Sequence, residues 1–249
     1  MKYGQLGKTG IEVSRLCVGC LSFGQPFSDS HMWTLNPEET ETIVRKALDL
    51  GFTFFDTANT YSHGTSEEYL GRAIKNSVSR DKVILATKVY FNEGHLSKKA
   101  IQREIDGSLK RLNTDYVDLY IIHRFDRTTP IEETMEAMDG LVKCGKVRAL
   151  GASAMYGYQF YSMQVAAERN GWTKFCSMQN HYNLLYREDE REIIPLCKQE
   201  GVALTPFSPL AAGRLARVEW KSDSPRSQMD RTASQKYDGT QETDYEIVR

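Results

Sequence analysis

Three of the apolar runs in this 249-residue chain close on an ionisable group: FTFFD on Asp56, KVILATK on Lys88 and YVDLYIIH on His123. Tyr61 follows Asp56 by five positions, in a segment that can turn back toward the same end. An ammonium beside a phenol favours phenolate and draws its pKa down from about 10 toward neutrality, which would suit Tyr61 and Lys88 to general acid/base work. Asp56 would keep Lys88 charged and oriented, and His123, as a neutral imidazole, would donate to a carbonyl oxygen. Each residue alone has a plainer reading: Asp56 as a turn cap, Lys88 as a snorkelling side chain, His123 as a satisfied core imidazole. Four ionisable groups on one rim are harder to read that way, because buried charges are costly unless paired.

The elements that must position them repeat. Seven strand-like runs occur, RLCVG (15–19), FTFFD (52–56), KVILATK (82–88), YVDLYIIH (116–123), KVRALGAS (146–153), FCSMQ (175–179) and VALTP (202–206), separated by segments of helical period. Strands alternating with helices predict successive βα units around a parallel sheet, an α/β fold of the TIM (β/α)8 type, with the active site where the strands end. The later runs end on Ser153 and Gln179, and the last leads into Phe207 and Ser208. Period two places Asp56 on the face of Phe52 and Phe54, and His123 on that of Val117, Leu119 and Ile121, expected to be the barrel interior.

The helices carry their own punctuation. Asn36, Pro37 and Glu39 predict a capped start, Thr129, Pro130 and Glu132 repeat it, Thr65 with Glu68 forms a third capping box, and a further helix should begin after Ser97. Residues 1–14, with Gly4, Gly7 and Gly10, suit a hairpin under the barrel, and 15–214 hold the barrel units of a single domain. The polar tail 215–249 shows neither strand nor long amphipathic period; 215–240 is expected to be a mobile loop and the end a truncation, with Thr243 or Asp244 capping a last short helix.

A formal charge of -1 gives no global field for nucleic acid or an anionic membrane, so a small-molecule partner is favoured. The N-terminus has no apolar leader and no run approaches a membrane span, which predicts a cytoplasmic protein. Five cysteines, two of them in a C-x-x-C at Cys17 and Cys20, are expected to be reduced, buried thiols.

In this order the residues resemble the tetrad of the aldo-keto reductases. The resemblance rests on GFTFFDTANTYSHGTSEEYLGRAI, ATKV, LKRLNTDYVDLYIIHRFD, GKVRALGAS, SMQNHYNLL and TPFSPLAAGRL, and covers about residues 1–215. It implies NADPH-dependent reduction of aldehydes or ketones, with Tyr61 as general acid, Lys88 and Asp56 tuning it, and His123 orienting the carbonyl. It implies cofactor contacts at Ser153 and Gln179 for the carboxamide, Phe207 under the nicotinamide, and Ser208, Leu210 and Gly213 near the pyrophosphate. No metal is implied. Ala154 stands where many members have Asn, so one carboxamide hydrogen bond, typically about 1 kcal/mol, would be missing. Loops 22–36 and 90–97 would supply an aromatic wall of Phe23, Trp33, Tyr90 and Phe91.

Members of the family continue with an eighth strand, terminal helices and a segment that grips the adenosine 2′-phosphate, so the chain reads as truncated, with two open sheet edges and weakened cofactor binding. Two further functions compete: a cofactor-binding regulatory module like the potassium-channel β-subunits, and a metal-dependent TIM-barrel hydrolase. The five histidines contain no H-x-H or H-x-x-x-H pair, which disfavours the last.

Overall fold

The structure, a computed structural model, describes residues 1–26, 31–216, 224–237, 239 and 241–248. It opens with an antiparallel hairpin, β1 (Tyr3–Gln5) and β2 (Glu12–Ser14). A parallel sheet follows: β3 (Cys17–Gly19), β4 (Phe54–Asp56), β5 (Ile84–Val89), β6 (Val117–Ile122), β7 (Val147–Ser153), β8 (Phe175–Gln179) and β9 (Ala203–Leu204). Its spatial order is the order of the chain. Parallel neighbours need a crossover, and each of the first six strands is followed by one: α1 (Pro37–Asp49), α2 (Thr65–Ser77), α3 (Lys98–Leu112), α4 (Ile131–Lys143), α5 (Gly157–Asn170) and α6 (Ile193–Glu200). Among the described residues this is a TIM-type α/β architecture with seven strands in its parallel sheet. Among the described residues no strand joins β9 to β3.

Both faces of the sheet are covered, which is why its strands read as near-continuous apolar runs. Phe55, Leu85, Tyr120, Ile122, Leu150 and Met178 pack outward in the larger core with helical residues such as Leu70, Ile105 and Met138. Phe54, Ala86, Leu119, Ile121 and Ala149 form a smaller inner cluster with Leu6 and Val13 of the hairpin. The hairpin therefore plugs the barrel at the strand starts, where Ser14 Oγ accepts from the backbone of Thr53 and Phe54. Strict alternation fails at the bottom of two runs, since Phe52 and Val117 belong with the outer core. Phe52 precedes the first paired residue of its strand, so the pleat does not orient it.

The caps of α1 and α3 are as the sequence predicts: Asn36 and Glu39 exchange both capping-box bonds, and Ser97 accepts from Ala100 N. Two others differ. Gly64, in the left-handed region, is the N-cap of α2, and the Thr65 hydroxyl is spent on Ser62 O. Pro130 is the N-cap of α4, because Thr129 donates instead to Asp126, which also gathers Leu96 N, Thr128 N and the Thr128 hydroxyl.

The tail also departs from the loop expected of it. Residues 225–248 hold α7 (Pro225–Met229), α8 (Arg231–Tyr237) and α9 (Gln241–Val248), and α9 begins before either anticipated cap. These helices are too short to display an amphipathic period, yet Ala233 and Tyr237 are buried. Residues 217–223, 238 and 240 of that expected loop lie outside the described residues. Cys20 and Cys197 are buried free thiols as anticipated, whereas Cys17 on edge strand β3 and Cys144 at the C-cap of α4 are exposed. Among the described residues, no helix is long and apolar enough to cross a membrane.

Candidate active site

Parallel register brings the rim residues together. Asp56 is the last residue of β4 and pairs with Ala86 on β5, two residues before Lys88, which pairs with Ile121 on β6, two residues before His123. Lys88 is fully enclosed, and its Nζ forms an ion pair with Asp56 Oδ1, donates to Thr57 O at 2.8 Å and reaches the Tyr61 hydroxyl at 3.2 Å. Tyr61 opens a short 3-10 turn, Tyr61–Gly64, whose left-handed residues Ser62 and His63 fold the chain back at this point. The Tyr61 ring meets His123 edge-on, centroids 5.8 Å apart. Four side chains drawn from 68 residues of sequence thus share one cluster.

Their electrostatics follow from burial and pairing. Burial opposes the Lys88 ammonium, but the charges of Asp56 and Tyr61 outweigh it and raise the Lys88 pKa. Burial also raises the Tyr61 phenol above its usual 10, against the pull of Lys88. This reverses the net drop expected from the sequence. Asp56 neutralises much of the ammonium, so the field reaching the phenol is too weak to overcome desolvation. His123 is pushed down to about 2 by burial and by the cations Lys88 and Arg124. The cluster therefore presents a protonated phenol and a neutral imidazole, and both can donate hydrogen bonds. His123 Nδ1 is buried with no hydrogen-bond partner.

Ser153 and Gln179 extend the cluster along the rim. Gln179 Nε2 donates to Asp56 Oδ2 at 2.9 Å, and the Ser153 hydroxyl donates to Gln179 O at 2.7 Å. Phe207 lies one step further, its N–H on Asn180 O and its ring stacked on His181 at 5.1 Å. Ser208 O accepts from Asn183 Nδ2 at 2.9 Å. Leu210 is exposed and Gly213 lies in the 3-10 segment Ala211–Ala216. Of the expected aromatic wall, Phe91 meets a member of the tetrad, His123, at 5.0 Å. Phe23 is instead a core residue beneath the helices.

Several neighbours escaped the sequence reading. Asn180 Oδ1 accepts from Ala154 N at 2.8 Å, so the residue after Ser153 is held from β8. Arg124 could have been found, since it extends the same run as His123. Tyr237 could not: it comes from the polar tail, yet its hydroxyl bonds His181 Nε2 at 2.6 Å and Asn183 Nδ2 at 3.2 Å.

With that geometry fixed, comparison with known sequences decides the family. The model of the aldo/keto reductase family matches residues 15–248. The chain belongs to the aldo/keto reductase family. Among similar members, an aldo-keto reductase of Fusarium vanettenii is 46% identical over 244 residues, covering 86% of this chain and 65% of the relative. Versiconal hemiacetal acetate reductase of Aspergillus parasiticus is 43% identical over 248 residues, covering 90% of this chain and 71% of the relative. An aldo-keto reductase of Alternaria alternata is 42% identical over 245 residues, covering 86% and 66%. The chain thus spans about two thirds of the length of these curated aldo/keto reductases.

Proposed function

We propose that this aldo/keto reductase chain carries the catalytic groups of an NADPH-dependent carbonyl reductase acting on aldehydes or ketones. The observation that carries the reading is the contact of a protonated Tyr61 with both the Lys88 ammonium, at 3.2 Å, and the His123 ring. A substrate carbonyl oxygen placed between phenol and imidazole would receive two donors where negative charge grows during reduction, the arrangement that stabilises an oxyanion. Tyr61 would then deliver its proton to that oxygen, and Lys88, held by Asp56, would stabilise the phenolate left behind.

The residues present suit a nicotinamide. Its carboxamide is neutral and needs both donors and acceptors, which Ser153 and Gln179 supply, and the cluster's one carboxylate, Asp56, is already paired with Lys88. Phe207 offers an aromatic face, and Ser208, Leu210 and Gly213 would meet the pyrophosphate. When bound, the reduced cofactor supplies the hydride. The chain's own work is to hold the carbonyl, exclude water and move one proton.

The test is NADPH oxidation with 4-nitrobenzaldehyde, followed to the alcohol. With cofactor deuterated at the transferring C4 position, the label should appear on the carbinol carbon of the product. Saturable NADPH binding without alcohol formation would favour the cofactor-binding module instead.

A further inference from the structure

Beside the tetrad stands a cation that forms no ion pair with an Asp or Glu among the described residues. Arg124 directly follows His123, its Nη1 donates to His123 O at 2.7 Å, and its guanidinium carbon lies 5.6 Å from the Phe91 ring centroid. The side chain is half-buried, and no Asp or Glu among the described residues forms an ion pair with it. Other arginines that pack against the barrel are matched: Arg80 and Arg148 meet Asp118, and Arg111 meets Glu67. Lys236 of α8 lies 5.0 Å from the Phe207 ring centroid, and burial first and then the charge of Arg124 lower its pKa, with Asp230 opposing. Burial alone pulls the Arg124 pKa below its usual value, with only the hydroxyls of Tyr61 and Tyr90 opposing.

A partly desolvated guanidinium that meets no carboxylate among the described residues is costly unless an anion sits with it. The planar fork of arginine matches an oxyanion in two-pronged fashion, which lysine cannot do. Arg124 meets His123, the residue proposed to donate to the carbonyl, and Phe91. We propose that Arg124 anchors a carboxylate carried by the carbonyl substrate, so that the preferred substrates are aldehydes or ketones bearing an acid group. This rests on the reductase reading for its reaction but not for its binding chemistry.

The experiment compares 3- and 4-carboxybenzaldehyde with their methyl esters, on the wild-type chain, Arg124→Gln and Arg124→Lys. Equilibrium binding is measured by saturation-transfer NMR in the presence of NADP, where no turnover occurs, and kcat/KM is measured with NADPH. At least one acid should bind more tightly than its ester, and that acid-to-ester ratio should fall at least tenfold in Arg124→Gln and partly return in Arg124→Lys. Esters bound as well as the acids, or a ratio unmoved by Arg124→Gln, overturn the proposal. A tenfold loss of NADP affinity in Arg124→Gln with the ratio intact also overturns it, because the anion would then belong to the cofactor. Selective binding of the acids without turnover would leave Arg124 as an anion site and count against the reductase reading alone.

Discussion

Gln179 and Asp56, 123 residues apart in the chain, meet at 2.9 Å, with the amide of one donating to the carboxylate of the other. Lys88 takes the opposite oxygen, so the carboxylate is gripped from two strands and the ammonium is fixed against Tyr61.

Replacing Gln179 by Leu removes one of these grips and leaves a buried carboxylate oxygen short of a donor. The expected cost is about 1–3 kcal/mol of folding stability. Urea unfolding followed by circular dichroism should show a lower midpoint at unchanged slope.

Lys88→Met should be more damaging, because it leaves Asp56 as an uncompensated buried charge, a loss of about 3–5 kcal/mol. Adding Asp56→Leu to Lys88→Met should return part of that stability without returning activity. The four-member cycle by chemical denaturation checks the coupling, and additive losses would mean that the pair is not joined as described.

Much of this was readable in advance. The strand ends carrying Asp56, Lys88, His123, Ser153 and Gln179 were visible because both sheet faces are covered, which makes each strand a short apolar run whose polar terminus stands out. The hairpin and the Asn36 and Ser97 caps were visible for equally local reasons. What escaped was non-local. Thr129 looked like a cap until Asp126 claimed its hydroxyl, and Tyr237 gave no sign of its partners because a seven-residue helix shows no period. The rise in the Tyr61 pKa depended on the depth of burial and on how fully Asp56 cancels Lys88, and no spacing encodes either quantity.

The pH dependence follows from two neutral groups. With Tyr61 raised above 10 and His123 lowered to about 2, both keep their donor forms through neutrality, so kcat/KM for reduction should show no inflection near 6.5 and should fall only on the alkaline side. Stability behaves differently. Below about 6.5 the unfolded imidazole takes a proton that the folded one refuses, so the unfolded chain binds more protons and stability falls as pH drops from 6.5 toward 2. Urea midpoints between neutral and mildly acid pH should decline less steeply in His123→Gln than in the wild type.

The proton donor is the central claim, and the kcat of Tyr61→Phe at neutral pH, measured with NADPH and 4-nitrobenzaldehyde at saturating concentrations, tests it most directly. The substitution keeps the ring and the Asp56–Lys88 ion pair and removes the hydroxyl that accepts from Lys88. A fall of roughly 10²–10⁴ is expected for loss of general acid catalysis. A kcat within about twofold of the wild type, where that contribution should be lost, would remove Tyr61 from the reaction.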